Sequence, residues 1–369
     1  MQLRLAVFLL CSVVYAAFGQ ALLHFPVSQR SEKSLTISTY AQPEVLLKTS
    51  RDGHIRVTRH GPWVLVKVNN ALQSCAFTGV PGDDAFVGGT ALPTLSWEYL
   101  RTAASAAAAF STAPLDGKRL LVAGLGGGSL PHFLAHVYRA ALVQAVEVDD
   151  EMVDVAKLFL GESSMHFVST SELVAASPPL AALPAPRFQG VVADAADVVS
   201  ALAAAVGSNA SAGVDVLFID AFDGLTMPAR LRTDAFLVDA LSCLSPAGVL
   251  VSNCINGAAG TPKREALEAY VLSLLVAAGP AFEVFTIPVD LSHGNLEVVA
   301  RRRVAGAPQP SLEALAAAAS AASLVADWQF DGAESVARVF SVTTTEGGGA
   351  IRERLLGSDQ YESSAMKKG

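Results

Sequence analysis

Two neighbouring stretches contain the residues with the clearest chemical potential. An apolar run from Leu120 ends in a group of glycines, and a helical pattern begins near Leu130. These glycines are Gly124, Gly126, Gly127 and Gly128. About twenty residues beyond the first glycine, a second apolar run ends in Glu147. Glycines let the backbone approach a ligand, the helix N-terminus faces it, and a carboxylate can accept hydrogen bonds from ribose hydroxyls. The pattern indicates a nucleotide-type site, with a tight βα turn that binds nothing as the alternative.

The spacing of these glycines narrows the class of ligand. The order is Gly-Leu-Gly-Gly-Gly-Ser and not the Gly-x-Gly-x-x-Gly of dinucleotide sites, and no lysine follows as in a P-loop. A ligand with ribose hydroxyls and without an essential pyrophosphate fits better. The sequence therefore predicts S-adenosylmethionine as the cofactor.

Further acids follow other predicted strands. Asp194 follows a strand pattern over 190–193, and Asp220 follows one over 214–219, with Asp223 three residues later. Ligands of open α/β sheets bind beyond the carboxyl ends of the strands, so we expect these acids to share one crevice with Glu147. A single acid at a strand end is often a helix cap. The shared position of the acids favours a ligand site over separate caps.

The elements that must position these residues alternate between strand and helix. This alternation predicts one doubly wound, mostly parallel α/β sheet from about 115 to 302, with strands 282–288 and 296–301 forming an antiparallel hairpin. Short β patterns at 45–49, 54–60 and 62–69 predict a small antiparallel module before it. The predicted organisation is a signal peptide at 1–19, the β module at 44–95, the Rossmann-like cofactor domain at 96–302, and an Ala-rich helix with a flexible tail at 303–369.

Composition limits the partners and the location. The net charge of −8 argues against a general nucleic-acid surface, so no nucleic-acid partner is expected. Arg4 followed by an apolar run over 5–18 predicts a signal peptide and the secretory pathway, with an uncleaved membrane anchor or an organelle-targeting leader as alternatives. No later span is expected, and in the secretory pathway Asn209 would be a candidate glycosylation site. The cysteine spacings indicate no metal site.

These stretches together resemble the spermidine-synthase-like branch of class I S-adenosylmethionine-dependent methyltransferases. The resemblance is carried by "LLVAGLGGGSLPHFL", "AVEVDDEMVDVAKLFLG", "VVADAADVV", "VDVLFIDAFDG" and "LSPAGVLVSN". It is especially close to the spermidine-synthase-like half of a eukaryotic lysine methyltransferase that modifies a translation elongation factor. It covers about 54–302 and implies a Rossmann-like methyltransferase sheet preceded by a small β module.

The resemblance also implies roles for particular residues. Glu147 would hold the ribose hydroxyls, and Asp194 would accept from the adenine amino group, with Ala195 beside the ring. The methionine part would be lined by Gly124, Gly126 and Gly128. Asp220 matches the catalytic acid of the Asp-x-x-Asp motif in aminopropyltransferases, and Asp223 matches its partner. In the β module, "VKVNNALQSC" is similar to a segment that carries a ligand-contacting glutamine, which would be Gln73.

The sequence also departs from the polyamine synthases. They carry an acid in the glycine loop where this chain has Gly127, and their Asp-Ser-Ser-Asp-Pro motif is replaced by Asp-Ala-Phe-Asp-Gly from Asp220 onwards. Their Tyr-His-Glu helix is replaced by Trp-Glu-Tyr from Trp97 onwards. Loss of the loop acid removes a partner for an ammonium group. We therefore predict methyl transfer to an amine on a protein or small molecule, with aminopropyl transfer or a non-catalytic adenosyl-binding protein as alternatives. The oligomeric state stays open, with a homodimer as one option.

Overall fold

The computed structural model of this chain describes most of residues 44–342. The described ranges are 44–50, 53–60, 63–69, 71–77, 95–161, 164–176, 188–209, 212–223, 226–258, 260–289, 294–304, 306, 309–325, 328, 330–336 and 340–342. The chain divides into two compact units, Met1–Ala41 and Gln42–Gly369. The first unit, which contains the predicted signal peptide, lies outside the described residues, as do the last residues of the predicted tail.

A nine-stranded sheet forms the centre of the second unit. Its strands are β5 (Arg119–Ala123), β6 (Leu142–Glu147), β7 (Met165–Phe167), β8 (Phe188–Val192), β9 (Val214–Ile219), β10 (Leu244–Ile255), β11 (Phe282–Pro288), β12 (Asn295–Arg302) and β13 (Phe340–Val342). They lie in the order β13-β11-β12-β10-β9-β5-β6-β8-β7. The six neighbouring strands β10, β9, β5, β6, β8 and β7 pair in parallel. The pairs β10–β12, β12–β11 and β11–β13 are antiparallel. The predicted hairpin of β11 and β12 is confirmed.

Helices accompany the sheet strands. They are α1 (Glu98–Phe110), α2 (Ser129–Val137), α3 (Asp150–Leu160), α4 (Thr170–Ala175), α5 (Ala195–Ser208), α6 (Asp234–Ser242), α7 (Pro262–Ala278), α8 (Leu312–Val325) and α9 (Gly332–Val336). Alternate residues of β5 belong to two different apolar clusters: Leu120 packs with Phe133, whereas Leu121 packs with Val198. Because successive strand residues point to opposite faces, both faces of the sheet are covered. The predicted doubly wound α/β fold is confirmed.

A four-stranded antiparallel sheet precedes this domain. Its strands are β1 (Glu44–Ser50), β2 (Gly53–His60), β3 (Trp63–Val68) and β4 (Ala71–Phe77), paired in sequence order. The sequence predicted the first three strands. Asn69 turns the chain into β4 with φ 49°, a left-handed conformation that asparagine tolerates better than most residues. The predicted antiparallel β module is therefore extended by one strand.

Part of the predicted C-terminal tail packs into the main domain. The Ala-rich helix is present as α8, but β13 beyond it adds to the sheet beside β11. Trp328 is 7% exposed, and its ring lies 5.7 Å from that of Phe133 on α2. Aromatic burial of this kind holds the segment in place. The short strand β13 was not predicted, and the predicted flexible tail beyond it lies outside the described residues.

The described residues contain no helix that is both long and apolar enough to cross a membrane.

Candidate functional site

The glycine loop after β5 is shaped by close backbone packing. Gly124 and Gly128 have φ values of 100° and 78°. A Cβ at Gly124 would lie 2.2 Å from the carbonyl oxygen of Asp220, and one at Gly128 would lie 2.5 Å from Leu160. A side chain is therefore excluded at Gly124 for steric as well as conformational reasons, and at Gly128 the left-handed backbone disfavours one. The loop lies directly against the predicted catalytic acid.

The other two glycines of the loop differ from each other. Gly126 has φ 52°, and among the described residues no heavy atom lies within 4 Å of the place a Cβ would take. Gly127 is not among the described residues with positive φ. Gly126 therefore leaves open space beside the loop, while Gly127 has no left-handed backbone that would resist a side chain.

Glu147 ends β6 and binds the glycine loop itself. Its Oε2 accepts hydrogen bonds from the N–H groups of Leu125 at 3.0 Å and Gly126 at 3.3 Å. Its Oε1 accepts from Val148 at 2.8 Å and Asp149 at 3.0 Å. Burial raises the pKa of this carboxyl group, and the four N–H donors oppose that rise. Because a carboxylate has about four acceptor positions, a ribose hydroxyl would have to replace one of these N–H groups.

Asp194 serves as a helix cap and as an ion-pair partner. Its Oδ1 accepts from the N–H of Ala196 at 2.9 Å, which caps α5, and the predicted adenine neighbour Ala195 is the first residue of that helix. Its Oδ2 lies 2.6 Å from Nη1 of Arg230, whose Nη2 binds Asp197 at the same distance. Asp194 is therefore a helix cap, and its carboxylate still has acceptor positions free for a ligand.

Arg230 was missed from the sequence. It lies in the 3-10 turn Ala229–Arg232 and is largely exposed. Its hydrogen bonds to Asp194 and Asp197 raise the pKa of the guanidinium group. The sequence offered little indication of this ion pair, because Arg230 is far from Asp194 along the chain and belongs to no motif.

Asp220 lies at the end of β9 within a short chain of polar side chains. Asn253 on β10 donates from Nδ2 to Asp220 Oδ1 at 2.8 Å. Asn295 on β12 donates in turn to Asn253 Oδ1 at 2.8 Å. Burial raises the pKa of Asp220 to about 6, although the bond from Asn253 lowers it. An acid with such a pKa suits proton transfer near neutral pH.

Asp223 has a different environment from Asp220. It is exposed, its Oδ1 accepts from Thr226 Oγ1 at 2.8 Å, and its N–H donates to the Thr226 carbonyl at 3.0 Å. These bonds close a turn, as short polar side chains often do. Among the described hydrogen bonds, none joins Asp223 to Asp220. Its predicted catalytic partnership stays a prediction.

Gln73 lies on β4, which docks beside the start of α2. The neighbouring Ser74 lies 3.4 Å from Ser129 through the two hydroxyl oxygens. Ser129 also donates to the carbonyl of Cys75 at 3.3 Å. This strand therefore lies next to the end of the glycine loop. The structure gives the Gln73 side chain no described hydrogen bond to the site, so its role in ligand contact stays a prediction.

A second buried acid near Asp220 was not predicted. Glu297 on β12 pairs across the sheet with Asn253, the residue that binds Asp220. It is fully buried, and the nearby negative charge of Asp220 adds to burial in raising its pKa well above the usual range. The sequence of β12 offered only a faint signal for a buried acid, because Glu297 stands between the apolar residues Leu296 and Val298.

The structure thus brings together one part of the predicted site. The glycine loop, Glu147 and Asp220 meet at the carboxyl ends of β5, β6 and β9. Asp194 lies at the end of the neighbouring β8. Within the described residues, no group of three His, Cys, Asp or Glu side chains is placed to hold a metal ion. The arrangement combines backbone donors, open space at Gly126 and several acids, which suits a cationic or hydroxyl-bearing ligand.

Comparisons with known proteins give three curated relatives, two of which are described here. The chain is 31% identical over 189 residues to the polyamine aminopropyltransferase of Chromobacterium violaceum, covering 51% of this chain and 58% of that protein. It is 30% identical over 142 residues to the human eEF1A lysine and N-terminal methyltransferase, covering 37% of this chain and 17% of that protein. The chain therefore matches less than two thirds of either relative. No protein-family model matches it.

A solved structure supports the fold. The crystal structure of a probable spermidine synthase from Corynebacterium glutamicum matches with a TM-score of 0.54 at 18% identity, covering 86% of this chain and 94% of that one. The matched relatives have names of enzymes that transfer groups to amines. The chain has the fold of that probable spermidine synthase, and part of its sequence is similar to an aminopropyltransferase and to a lysine methyltransferase. The resemblance inferred from the sequence motifs is confirmed.

Proposed function

We propose that this chain is an S-adenosylmethionine-dependent methyltransferase that acts on an amine of a protein or a small molecule. The observation that carries the proposal is the packing of Gly124 against the Asp220 carbonyl, which joins the cofactor loop and the buried acid at one point. Cofactor and acceptor would thus meet at the carboxyl ends of the strands, where ligands of such sheets bind.

The residues present fit an adenosyl cofactor. Gly126 leaves open space at the crevice, and the loop is followed by the N-terminus of α2. Glu147 would exchange a loop N–H for a ribose hydroxyl, and Asp194 has acceptor positions left for the adenine amino group. When bound, S-adenosylmethionine supplies a methyl group on a sulfonium that needs no further activation.

Asp220 would manage the proton of the acceptor. Ionised Asp220 takes one proton from the bound ammonium group, which leaves a neutral amine with a free electron pair. That electron pair would form the new N–C bond to the methyl group that the bound cofactor supplies, and the S–C bond of the cofactor would break with its electrons left on sulfur. Asn253 holds Asp220 Oδ1 in place during this step. Positioning and proton removal are sufficient contributions from the protein.

Gly127 supports methyl over aminopropyl transfer. An acid at this loop position, as the resembled polyamine synthases have, would repel the carboxylate of intact S-adenosylmethionine. Backbone N–H groups near the helix N-terminus favour an anion instead. Aminopropyl transfer is the second candidate, because the longest curated match, over 189 residues, is to a polyamine aminopropyltransferase.

The decisive experiment compares the two cofactors. Purified protein is incubated with S-adenosylmethionine, or separately with its decarboxylated form, and with amines, lysine peptides and proteins. We expect a product heavier by one methyl group with the intact cofactor. A product heavier by an aminopropyl group would replace this proposal with the second candidate, and no product from either cofactor would argue for a non-catalytic role.

We also propose that the chain acts in the secretory pathway, on the basis of Arg4 and the apolar run that follows. N-terminal sequencing of the cellular protein tests this. A start near residue 20 would support the proposal, and an intact Met1 on a cytosolic protein would contradict it.

A further inference from the structure

Glu297 is a buried acid that packing alone does not explain. Its side chain is 0% exposed, and within the described residues neither Oε1 nor Oε2 has a hydrogen-bond partner. A buried carboxyl group without a partner opposes folding, whether it is charged or neutral. A glutamine or an apolar residue would serve the core better at this position.

The neighbouring strand shows how this sheet treats a buried acid that stabilises the fold. Glu283 on β11 is 5% exposed, and its Oε2 lies 2.7 Å from Nη2 of Arg301. Arg301 also donates to it from Nε at 2.8 Å. Among the described ion pairs none includes Glu297. Both acids are buried, yet Glu283 has a cation beside it and Glu297 has none among the described residues.

Glu297 lies beside the proposed proton acceptor. Glu297 pairs with Asn253 across β12 and β10, while Ser252 pairs with Ile219, the residue before Asp220. Asp220, Asn253 and Glu297 therefore form a row across three adjacent strands. All three line one narrow gap beneath α1. Two carboxyl groups thus face the same small space without a cation between them in the described part of the chain.

The rest of that gap is apolar. Its other lining residues are Tyr99, Leu100, Ala103, Leu130, Phe218, Ile219 and Val251. The gap is narrow, so its walls must separate for a ligand to enter. Apolar walls around two acids suit an alkyl chain that ends in an ammonium group. The apolar walls would contact the alkyl chain, and the two carboxyl groups would contact the ammonium group.

We propose that Glu297 and Asp220 together bind the ammonium group of a primary alkylamine acceptor, such as a lysine side chain. This inference rests on the proposed transfer to an amine. A bound ammonium group favours the charged form of a carboxyl group beside it, so Glu297 would be ionised with the acceptor in place and would hold the nitrogen. Asp220 would accept the single proton that must leave before the N–C bond forms. With one carboxylate retained after proton transfer, the methylated ammonium product still has a counter-ion.

The test uses n-butylamine as a charged probe and n-butanol as its neutral counterpart. Each is titrated by calorimetry into wild-type protein, Glu297→Gln and the matched control Glu283→Gln, with and without S-adenosylhomocysteine. We expect Glu297→Gln to weaken n-butylamine binding about tenfold or more. We expect n-butanol and S-adenosylhomocysteine binding to stay unchanged, and the Glu283 variant to bind n-butylamine like the wild type.

Thermal unfolding of the same variants supplies a second readout. Glu297→Gln should unfold at the wild-type temperature or higher, whereas Glu283→Gln should unfold at a lower temperature because Arg301 loses its partner. Equal n-butylamine affinity in the wild type and Glu297→Gln, or no n-butylamine binding to folded wild-type protein, would overturn the inference. Failure of S-adenosylhomocysteine to bind would instead count against the proposed function, because the titrations without it still decide the role of Glu297.

Discussion

The amino ends of the sheet strands hold a buried polar network in which each charge has partners. Arg119, 2% exposed, donates from Nε to Gln144 at 2.9 Å and through its Nη atoms to the carbonyls of Ala212 and Leu173 at 2.7 and 2.6 Å. Gln144 donates in turn to Gln189 at 2.8 Å. The hydrogen bonds of Arg119 thus connect β5 to β6, to the segment before β9 and to α4.

The carboxyl ends of the same strands contain the opposite arrangement. Asp220 receives one described side-chain hydrogen bond, from Asn253, and Glu297 receives none. Burial raises the pKa of both groups. Arg119 and Glu297 are both almost fully buried, so the difference between these two side chains is not one of depth. A buried polar group that has its partners supports the fold, whereas one that lacks them points to a ligand.

The largest expected effect comes from breaking the amino-end network. Arg119→Leu leaves Gln144 and two carbonyls without their donor, so we expect a loss of about 3 kcal/mol or more in the free energy of unfolding. Urea unfolding measures it. Arg139→Leu, an exposed position near the end of α2, is the control and should change stability little. A loss below about 1 kcal/mol for Arg119→Leu would contradict the structural role.

Asp220→Asn should reduce turnover without reducing stability, the reverse of what is expected for Arg119→Leu. We expect turnover to fall about a hundredfold or more, because the amine loses its proton acceptor, while the unfolding temperature does not fall. The wild-type rate should rise with pH through about 6, the pKa of Asp220, and the variant should lack that rise. Steady-state rates between pH 5 and 8 supply the measurement. A variant that keeps the wild-type profile would remove Asp220 from the proton step.

Ionisation of Asp220, which should raise the rate of transfer, should lower the stability of the folded chain. The pKa of Asp220 is higher in the folded chain than the usual value near 4 of an unfolded one, so the folded state binds the proton more tightly. Its contribution to stability is therefore fully present below about pH 4 and is lost as the pH rises through about 6. Asp220→Asn should accordingly gain stability relative to the wild type above pH 6 in thermal unfolding.

A smaller effect is expected from restoring an acid in the glycine loop. Gly127→Asp should shift the ratio of affinities about tenfold toward decarboxylated S-adenosylmethionine, because the new carboxylate repels that of the intact cofactor. The backbone does not oppose the change, since Gly127 is not in the left-handed region. Gly127→Asn is the uncharged control. Competition between the two cofactors for binding to each variant measures this ratio. A wild-type chain that already prefers the decarboxylated cofactor would make aminopropyl transfer the first candidate.

The smallest effect belongs to the exposed arginine beside the predicted adenine acceptor. Arg230→Gln frees one oxygen of Asp194, yet exposed ion pairs contribute little, so we expect S-adenosylhomocysteine affinity to change less than about threefold. Calorimetry tests this against Arg139→Gln. A complete loss of binding would show that Arg230 contacts the ligand itself.

Local sequence patterns were sufficient for much of the fold. Strands β5, β6, β8, β9 and β10, which surround the site, are apolar runs bounded by glycines or acids, and they were predicted. The three-residue strand β7 was not predicted. β4 was missed because its residues do not alternate cleanly and the turn before it depends on Asn69. β13 was missed because a three-residue strand depends on distant partners in β11 and has no pattern of its own.

The site shows the same division. Gly124, Glu147 and Asp220 were predicted because each ends or follows a strand within a motif. Glu297 and Arg230 depend on which strands and turns become neighbours, and their types alone do not distinguish them from surface residues. The four backbone N–H groups around Glu147 were also unpredictable, because they follow from the path of the loop and not from residue type.

Calorimetric titration of S-adenosylhomocysteine into the wild-type chain tests the central claim most directly, because that claim makes the carboxyl ends of the strands an adenosyl site. We predict saturable binding of one ligand per chain. Glu147→Ala should weaken it by a few kcal/mol at most, through loss of ribose contacts and of the loop anchor, and Glu147→Gln should weaken it less. Absence of binding to folded wild-type protein, or equal affinity in folded Glu147→Ala, would contradict the account.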